Sequence, residues 1–239
     1  MAYARQAPEA RFQLPAAARD GKGNWVEAPS HVVFGLAGAV VADSVFHITG
    51  AQLIGTPLSD PHQVIDVLLL KTIYFGFAAL GALAPDIDNA RSTVGKRAGV
   101  ISKGIQHVAG HRTIFHSLLG LILVGVLIWA TQDAIGLALY HWGFTTAGEA
   151  ISGGLGPGGV LTAGREVAFV AFLLGYLLHI IADGLTYGGV PLFWPSPYRF
   201  GFPPERRWRF RSGSRMEVVV VTAVAVVVVV LVILGKLRV

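Results

Sequence analysis

The chain has 239 residues, 53% of them hydrophobic and only 14% charged, well below the roughly 25% charged residues of soluble domains. It has no cysteine, which excludes disulfides and thiolate-ligated zinc or iron–sulfur centres. The net charge of +5 reads, in a chain this apolar, as basic loops beside membrane spans rather than as a nucleic-acid surface.

Residues 1–30 mix Pro, Ala, Arg and Asp without helical periodicity. They lack the apolar core and small-residue cleavage site of a secretory signal, so they read as a flexible or interfacial tail ahead of a membrane domain over 31–239. The first apolar segment, about His31 to Ile48, is a Gly/Ala-rich retained span with Asp43 inside it. The second runs from about Val67 to Ala84, with Lys71 near one end. The third starts near His116 and continues to about Leu137; the fourth covers Val167 to about Asp183. The fifth, Glu217 to Gly235, is nearly all Val, Leu, Ile and Ala. A helical crossing takes about 20 apolar residues, and in lipid the need to pair every backbone group overrides the poor helix propensity of valine. Gly143–Gly164 is Gly-rich and reads as irregular. The expected fold is all-α, an integral membrane bundle of about five transmembrane helices, without internal repeats.

Counting Lys and Arg per connection assigns orientation. The tail carries Arg5, Arg11, Arg19 and Lys22, and the first connection none. The second carries Arg91, Lys96, Arg97, Lys103 and Arg112, the third only Arg165. The fourth carries Arg199, Arg206, Arg207, Arg209, Arg211 and Arg215. This alternation predicts a cytoplasmic N-terminus; Lys236 and Arg238 at the far end run against it but are outnumbered.

The polar residues then fall into one layer. His31 opens the first span; Asp86 and Asp88 close the second after Pro85; His111 and His116 open the third; His179 and Asp183 close the fourth. All lie at the basic, predicted cytoplasmic face. His179 and Asp183 are four apart and share a helical face. Each residue alone has a plainer reading, as an interfacial side chain, a cap or a turn. Seven converging on one face favour a metal site, and ionisable groups at membrane depth are functional candidates. Imidazole with carboxylate suits a divalent metal, zinc first, with Mn or Fe as alternatives, as one ion or more. His47, His62 and His141 fall toward the opposite face, and His107 has no partner at helical spacing. The segment Arg206-Arg207-Trp208-Arg209-Phe210-Arg211 reads as a positive-inside anchor or, alternatively, as a clamp for an anionic headgroup.

These residues give the chain a resemblance. His31 with Gly35, Gly81-Ala82-Leu83-Ala84-Pro85-Asp86-Ile87-Asp88 with Ser92, His111-Arg112 with His116-Ser117, Gly175-Tyr176 leading to His179 and Asp183-Gly184-Leu185-Thr186, and Phe193-Trp194-Pro195 with Arg199 resemble the YdjM-like family of inner-membrane proteins, classed by inference as metal-dependent hydrolases. The signature spans about Pro29 to Pro203. Ala84 stands where the family often has Leu, a minor departure. The resemblance implies a reaction class more than a substrate. A looser similarity in ligand order, Asp, then His, then His-x-x-x-Asp, is to zinc-dependent phospholipases C.

The expectation is therefore a membrane-embedded hydrolase of the inner membrane that cleaves a phosphoester, in a lipid headgroup, by metal-activated water. His31, Asp86, Asp88, His111, His116, His179 and Asp183 are the candidate ligands. Asp88 or Asp86 is the candidate general base, and Arg112 the candidate cation for a phosphate oxygen. Arg199, Ser117 and Thr186 are candidate substrate contacts, with helix capping as the equal alternative for the two hydroxyls. The expected partner is a membrane lipid or anionic headgroup; nucleic acid is not expected. A membrane peptidase or amidase, a metal-ion transporter and a non-catalytic lipid-binding protein are the competing readings.

Overall fold

The computed structural model describes residues 27–49, 61–89, 92–99, 114–141 and 160–237. Apart from two isolated β-bridges, regular structure among these is helical: α1 (Glu27–Phe46), α2 (Pro61–Leu83), a short α3 (Thr93–Ala98), α4 (Leu118–His141), α5 (Val160–Gly184) and α6 (Arg215–Ile233). Among the described residues, four stretches are long and apolar enough to cross a membrane: Pro29–Phe46, Val64–Asp88, Gly164–Gly184 and Arg215–Ile233. In α4 a shorter apolar stretch, Leu118–Ala134, completes a multi-pass helical bundle.

The helix ends depart from the sequence reading in physically sensible ways. Helix α1 starts at Glu27 rather than His31, because Pro29 sits in the first turn, where its missing N–H is one of the helix's unpaired donors anyway. Helix α2 likewise starts early, at Pro61. Helix α5 begins at Val160, so the last residues of the segment expected to be irregular are helical. Its other residues, with most of the N-terminal tail, lie outside the described residues. Helix α6 is opened by Ser214, whose Oγ accepts from Glu217 N at 3.3 Å, while Glu217 Oε2 accepts from Gly213 N at 2.6 Å. The pair forms a capping box shifted by one residue.

Helices α2 and α5 cross with their backbones nearly touching. A Cβ on Gly175 would lie 2.0 Å from Ala78 O, and one on Gly81 would lie 2.0 Å from Phe172 O. Lipid tails are as apolar as leucine, so small residues that admit close packing are what bring membrane helices together. Around this crossing, Ala39, Tyr74, Ala78, Val167 and Ala171 form a buried cluster, and Tyr74 Oη donates to Ala39 O at 2.9 Å. Helix α1 packs on both α2 and α5, and α6 on α1.

Candidate metal centre

The close face of the α2–α5 crossing is also the polar face. Gly175, His179 and Asp183 are spaced by four and line one stripe of α5. With Gly175 against α2, the imidazole and carboxylate are carried to the end of the same interface. On α1, His31 lies one turn ahead of Gly35, whose Cβ would stand 2.7 Å from Ala82 Cβ. His31 is therefore delivered to the same end of α2.

There Pro85 ends the regular helix by removing an N–H, and the chain tightens into a 3₁₀ turn over Ala84–Asp88 that buries Asp86 and Asp88. The turn is held from outside: Asn89 N and Ser92 Oγ both donate to Asp86 O, at 3.0 and 2.8 Å. Ser92 then accepts from Gly95 N at 2.9 Å and caps α3. The fourth contributor is a second 3₁₀ turn, Ile114–His116, ahead of α4. Tyr176 Oη donates to Phe115 O at 2.6 Å, which fixes the backbone next to His116.

Five donors meet in two overlapping groups, His31–Asp86–His179 and His116–His179–Asp183, each with its ligand atoms within 4.8 Å of one another. All five residues are buried. Asp183 Oδ1 lies 3.6 Å from His31 Nε2, and its Oδ2 lies 3.4 Å from His116 Nε2 and 4.0 Å from His179 Nε2. The rings of His31 and His179 stack at 4.0 Å. His179 Nδ1 lies 2.7 Å from Ala82 O. A carbonyl only accepts, so Nδ1 carries the proton and Nε2 turns a lone pair toward the other donors. Asp88 Oδ2 lies 3.3 Å from His116 Nδ1 as an ion-pair contact rather than a hydrogen bond. Two Nε2 atoms thus face each other at 3.3 Å. Among the described residues, His31 Nδ1 has no hydrogen-bond partner.

The donor set fits a divalent cation. Buried imidazole lone pairs and carboxylate oxygens within a few ångströms repel one another unless a positive charge lies among them. His179 belongs to both groups, and with Nδ1 against Ala82 O it turns only Nε2 toward the other donors.

Of the other sequence candidates, His111 and Arg112 lie outside the described residues, as does His107. Ser117 and Thr186 are buried in local roles. Ser117 Oγ accepts from Gly120 N at 3.1 Å as the cap of α4 and donates to Ile114 O at 2.6 Å. Thr186 Oγ1 donates to Asp183 O at 2.7 Å at the end of α5. Arg199 is exposed on the connection between α5 and α6 and belongs to neither donor group. His47 and His141 are exposed at the far ends of α1 and α4.

Three features escaped the sequence reading. Ala82 O orients His179. Arg209 points into its own loop and donates to Gly201 O, Pro203 O and Pro204 O. Asp43, Lys71 and Thr49 form a separate buried cluster: Lys71 Nζ pairs with Asp43 Oδ2, and Thr49 donates to Asp43 from its N at 2.8 Å and its Oγ1 at 3.2 Å. Asp43 and Lys71 are ionisable residues inside apolar spans, a signal that each needed a partner; their separation of 28 residues hid the pairing.

Comparison with known proteins agrees with this architecture. The chain is 36% identical to inner membrane protein YdjM of Escherichia coli (strain K12) over 126 residues, 53% of this chain and 51% of that protein. It is equally similar to YdjM of Shigella flexneri, so the chain spans about half the length of these curated relatives. It is 29% identical to YvsG of Bacillus subtilis (strain 168) over 138 residues, 54% of this chain and 67% of that protein. No solved structure gives a significant match. The model of the YdjM inner membrane protein family matches residues 26–238, nearly the whole membrane bundle with its donor set, and the chain belongs to that family.

Proposed function

We propose that this protein is a membrane-embedded, metal-dependent hydrolase that cleaves a phosphoester in a lipid headgroup. The observation that carries the reading is the meeting of five buried His and Asp donors from four helix ends in two overlapping groups, the ligand atoms of each within 4.8 Å of one another. His31, Asp86, His116, His179 and Asp183 would hold the ion, zinc by preference, with Mn or Fe as alternatives. A bound divalent ion would supply Lewis-acid charge and bring the pKa of water from 15.7 toward about 7.

The chain's own residues do the rest. Ala82 O keeps the proton on His179 Nδ1, and the Asp88 carboxylate beside His116 Nδ1 would make that ring a stronger ligand. Asp86 is the candidate base. Arg112 is the proposed cation for a phosphate oxygen. The Lys/Arg asymmetry supports a cytoplasmic site face. A site at the ends of the spans lets a headgroup reach the donors without its lipid leaving the bilayer.

The test joins elemental analysis with turnover. The purified chain should carry zinc or a similar metal and release a phosphorylated headgroup from phospholipid. His179→Ala should fold yet lose both. A metal-free chain, or phospholipid turnover unchanged in His179→Ala, would overturn the reading; cleavage of peptide rather than phospholipid substrates would move it to the peptidase class. The buried Asp43–Lys71 pair raises metal-ion transport as a second reading. A resident lysine ammonium there opposes cation passage, and metal uptake into proteoliposomes decides between them.

A further inference from the structure

The 30-residue connection between α5 and α6 is folded, basic and covered with exposed aromatic rings. Val190 and Phe200 exchange two backbone hydrogen bonds of 2.8 Å, Tyr187 N donates to Phe210 O at 2.7 Å, and Phe202 N donates to Gly184 O at 2.9 Å. Leu118 N, at the start of α4, donates to Leu192 O at 3.0 Å. Arg209 ties the inside together through three carbonyls. Yet Tyr198 is 83% exposed, Trp208 70%, Phe193 65% and Phe202 61%. Over residues 185–215 six arginines stand against one acidic residue, Glu205.

Two of these arginines sit on aromatic platforms. The Arg206 guanidinium lies 5.4 Å from the centroid of the Tyr187 ring, and that of Arg207 lies 5.8 Å from the Trp208 ring. Both side chains are exposed, and the one acidic neighbour, Glu205, meets Arg207 at 2.6 Å. The connection leaves one span at Gly184 and enters the next at Arg215, which sets it at the boundary of the apolar layer. Amphipathic rings concentrate at that depth, and arginine there meets lipid phosphate.

We infer that the α5–α6 connection is a binding surface for anionic phospholipid headgroups, with Arg206 and Arg207 as the phosphate-binding pair and the surrounding aromatic rings embedded beside the glycerol layer. Arg209 takes no part in lipid binding, because its guanidinium is engaged within the loop. The surface is separate from the buried donor set, and the inference stands whether or not that site is catalytic. Arginine suits this task because its planar fork can bind two phosphate oxygens while stacked on a ring.

The test titrates the full chain in detergent with phosphatidylglycerol and, separately, phosphatidylcholine, and counts bound lipid by native mass spectrometry. The Arg206→Gln/Arg207→Gln variant should lose phosphatidylglycerol affinity by about fivefold per arginine, roughly thirtyfold in all, with phosphatidylcholine unchanged. Arg206→Lys/Arg207→Lys should fall between wild type and the glutamine variant, because the charge remains while the stacked, two-oxygen contact is lost; a lysine variant as weak as the glutamine variant would overturn the role of charge. Phosphatidylglycerol binding within about threefold of wild type in the glutamine variant, well short of that charge effect, would overturn the inference. An equal loss of both lipids would overturn it too.

Discussion

Replacing Gly175 by alanine should part α2 from α5 and weaken the fold and the donor set together. The added Cβ would meet Ala78 O at 2.0 Å and Ala82 N at 2.9 Å, where real Cβ atoms essentially never come closer than 3.0 Å. Both obstacles are backbone, so no rotamer change relieves them, and the helices must separate by at least about 1 Å. Overpacking of this kind costs about 3 kcal/mol at the upper end of its usual range, which for a chain of this size is a loss of roughly 6–12 °C in Tm. The same shift would take the His179 Nδ1 to Ala82 O contact from 2.7 Å past hydrogen-bonding reach. Losing such an outer contact lowers metal affinity by about 10–100-fold. The control is Gly76→Ala, on the partner helix α2, where an added Cβ meets nothing within 4 Å; alanine's better helix propensity should leave Tm unchanged or slightly raised. The assay is thermal unfolding of the purified chain in detergent, with metal content measured before heating. Equal melting temperatures for the two variants would refute the claim that contact at Gly175 holds the bundle.

The buried ion pair gives a second expectation. Lys71→Met alone should cost about 3–5 kcal/mol by leaving the Asp43 charge buried without its cation, while Asp43→Leu with Lys71→Met should recover most of the melting temperature. A double variant no better than the single one would mean that the pair is not the coupled unit its geometry describes. Asp88→Asn keeps the shape beside His116 but removes the charge, and should lower zinc affinity by about 10–100-fold with the fold intact; zinc titration followed by competition with a chelator measures it. His116→Ala and His179→Ala should each deplete metal. Their combination should do little more, because both nitrogens serve one site; loss of one ion from each single variant and of two from the double would point to two.

The membrane architecture was legible because the bilayer imposes a simple rule on sequence. Long apolar runs had to be helical, and the helices α1, α2, α4, α5 and α6 cover the expected spans. The gathering of His31, Asp86, Asp88, His116, His179 and Asp183 was legible for a related reason. Alternating spans send the start of one helix and the end of the next to the same face, so reading the polar residues at helix ends amounts to reading a layer. What the sequence did not reveal is which residues touch. Asp86 and Asp88 are two apart in one turn, yet Asp86 groups with His31 and His179 while Asp88 lies against His116. That division depends on the local winding at Pro85, which hydropathy does not encode. Arg209 looked like one more member of a basic run, and only the folded loop turns it inward.

Ala82 shows why packing and chemistry are hard to separate in this bundle. Its Cβ faces Gly35 of α1, its N lies within reach of any side chain placed at Gly175 of α5, and its carbonyl holds His179. One small residue therefore sets the distance between three helices and the tautomer of a candidate ligand. Its fully buried side chain leaves no room for a larger group. A variant such as Ala82→Val would push α1 away through Gly35, carrying His31 from Asp183, while leaving every proposed ligand in the sequence. If metal binding depends on the donor residues alone, that variant should bind zinc normally; if it depends on how closely the helices approach, zinc should be lost as completely as in His179→Ala. The geometry favours the second outcome, because three of the four donor-bearing helix ends, those of α1, α2 and α5, are spaced by these small-residue contacts.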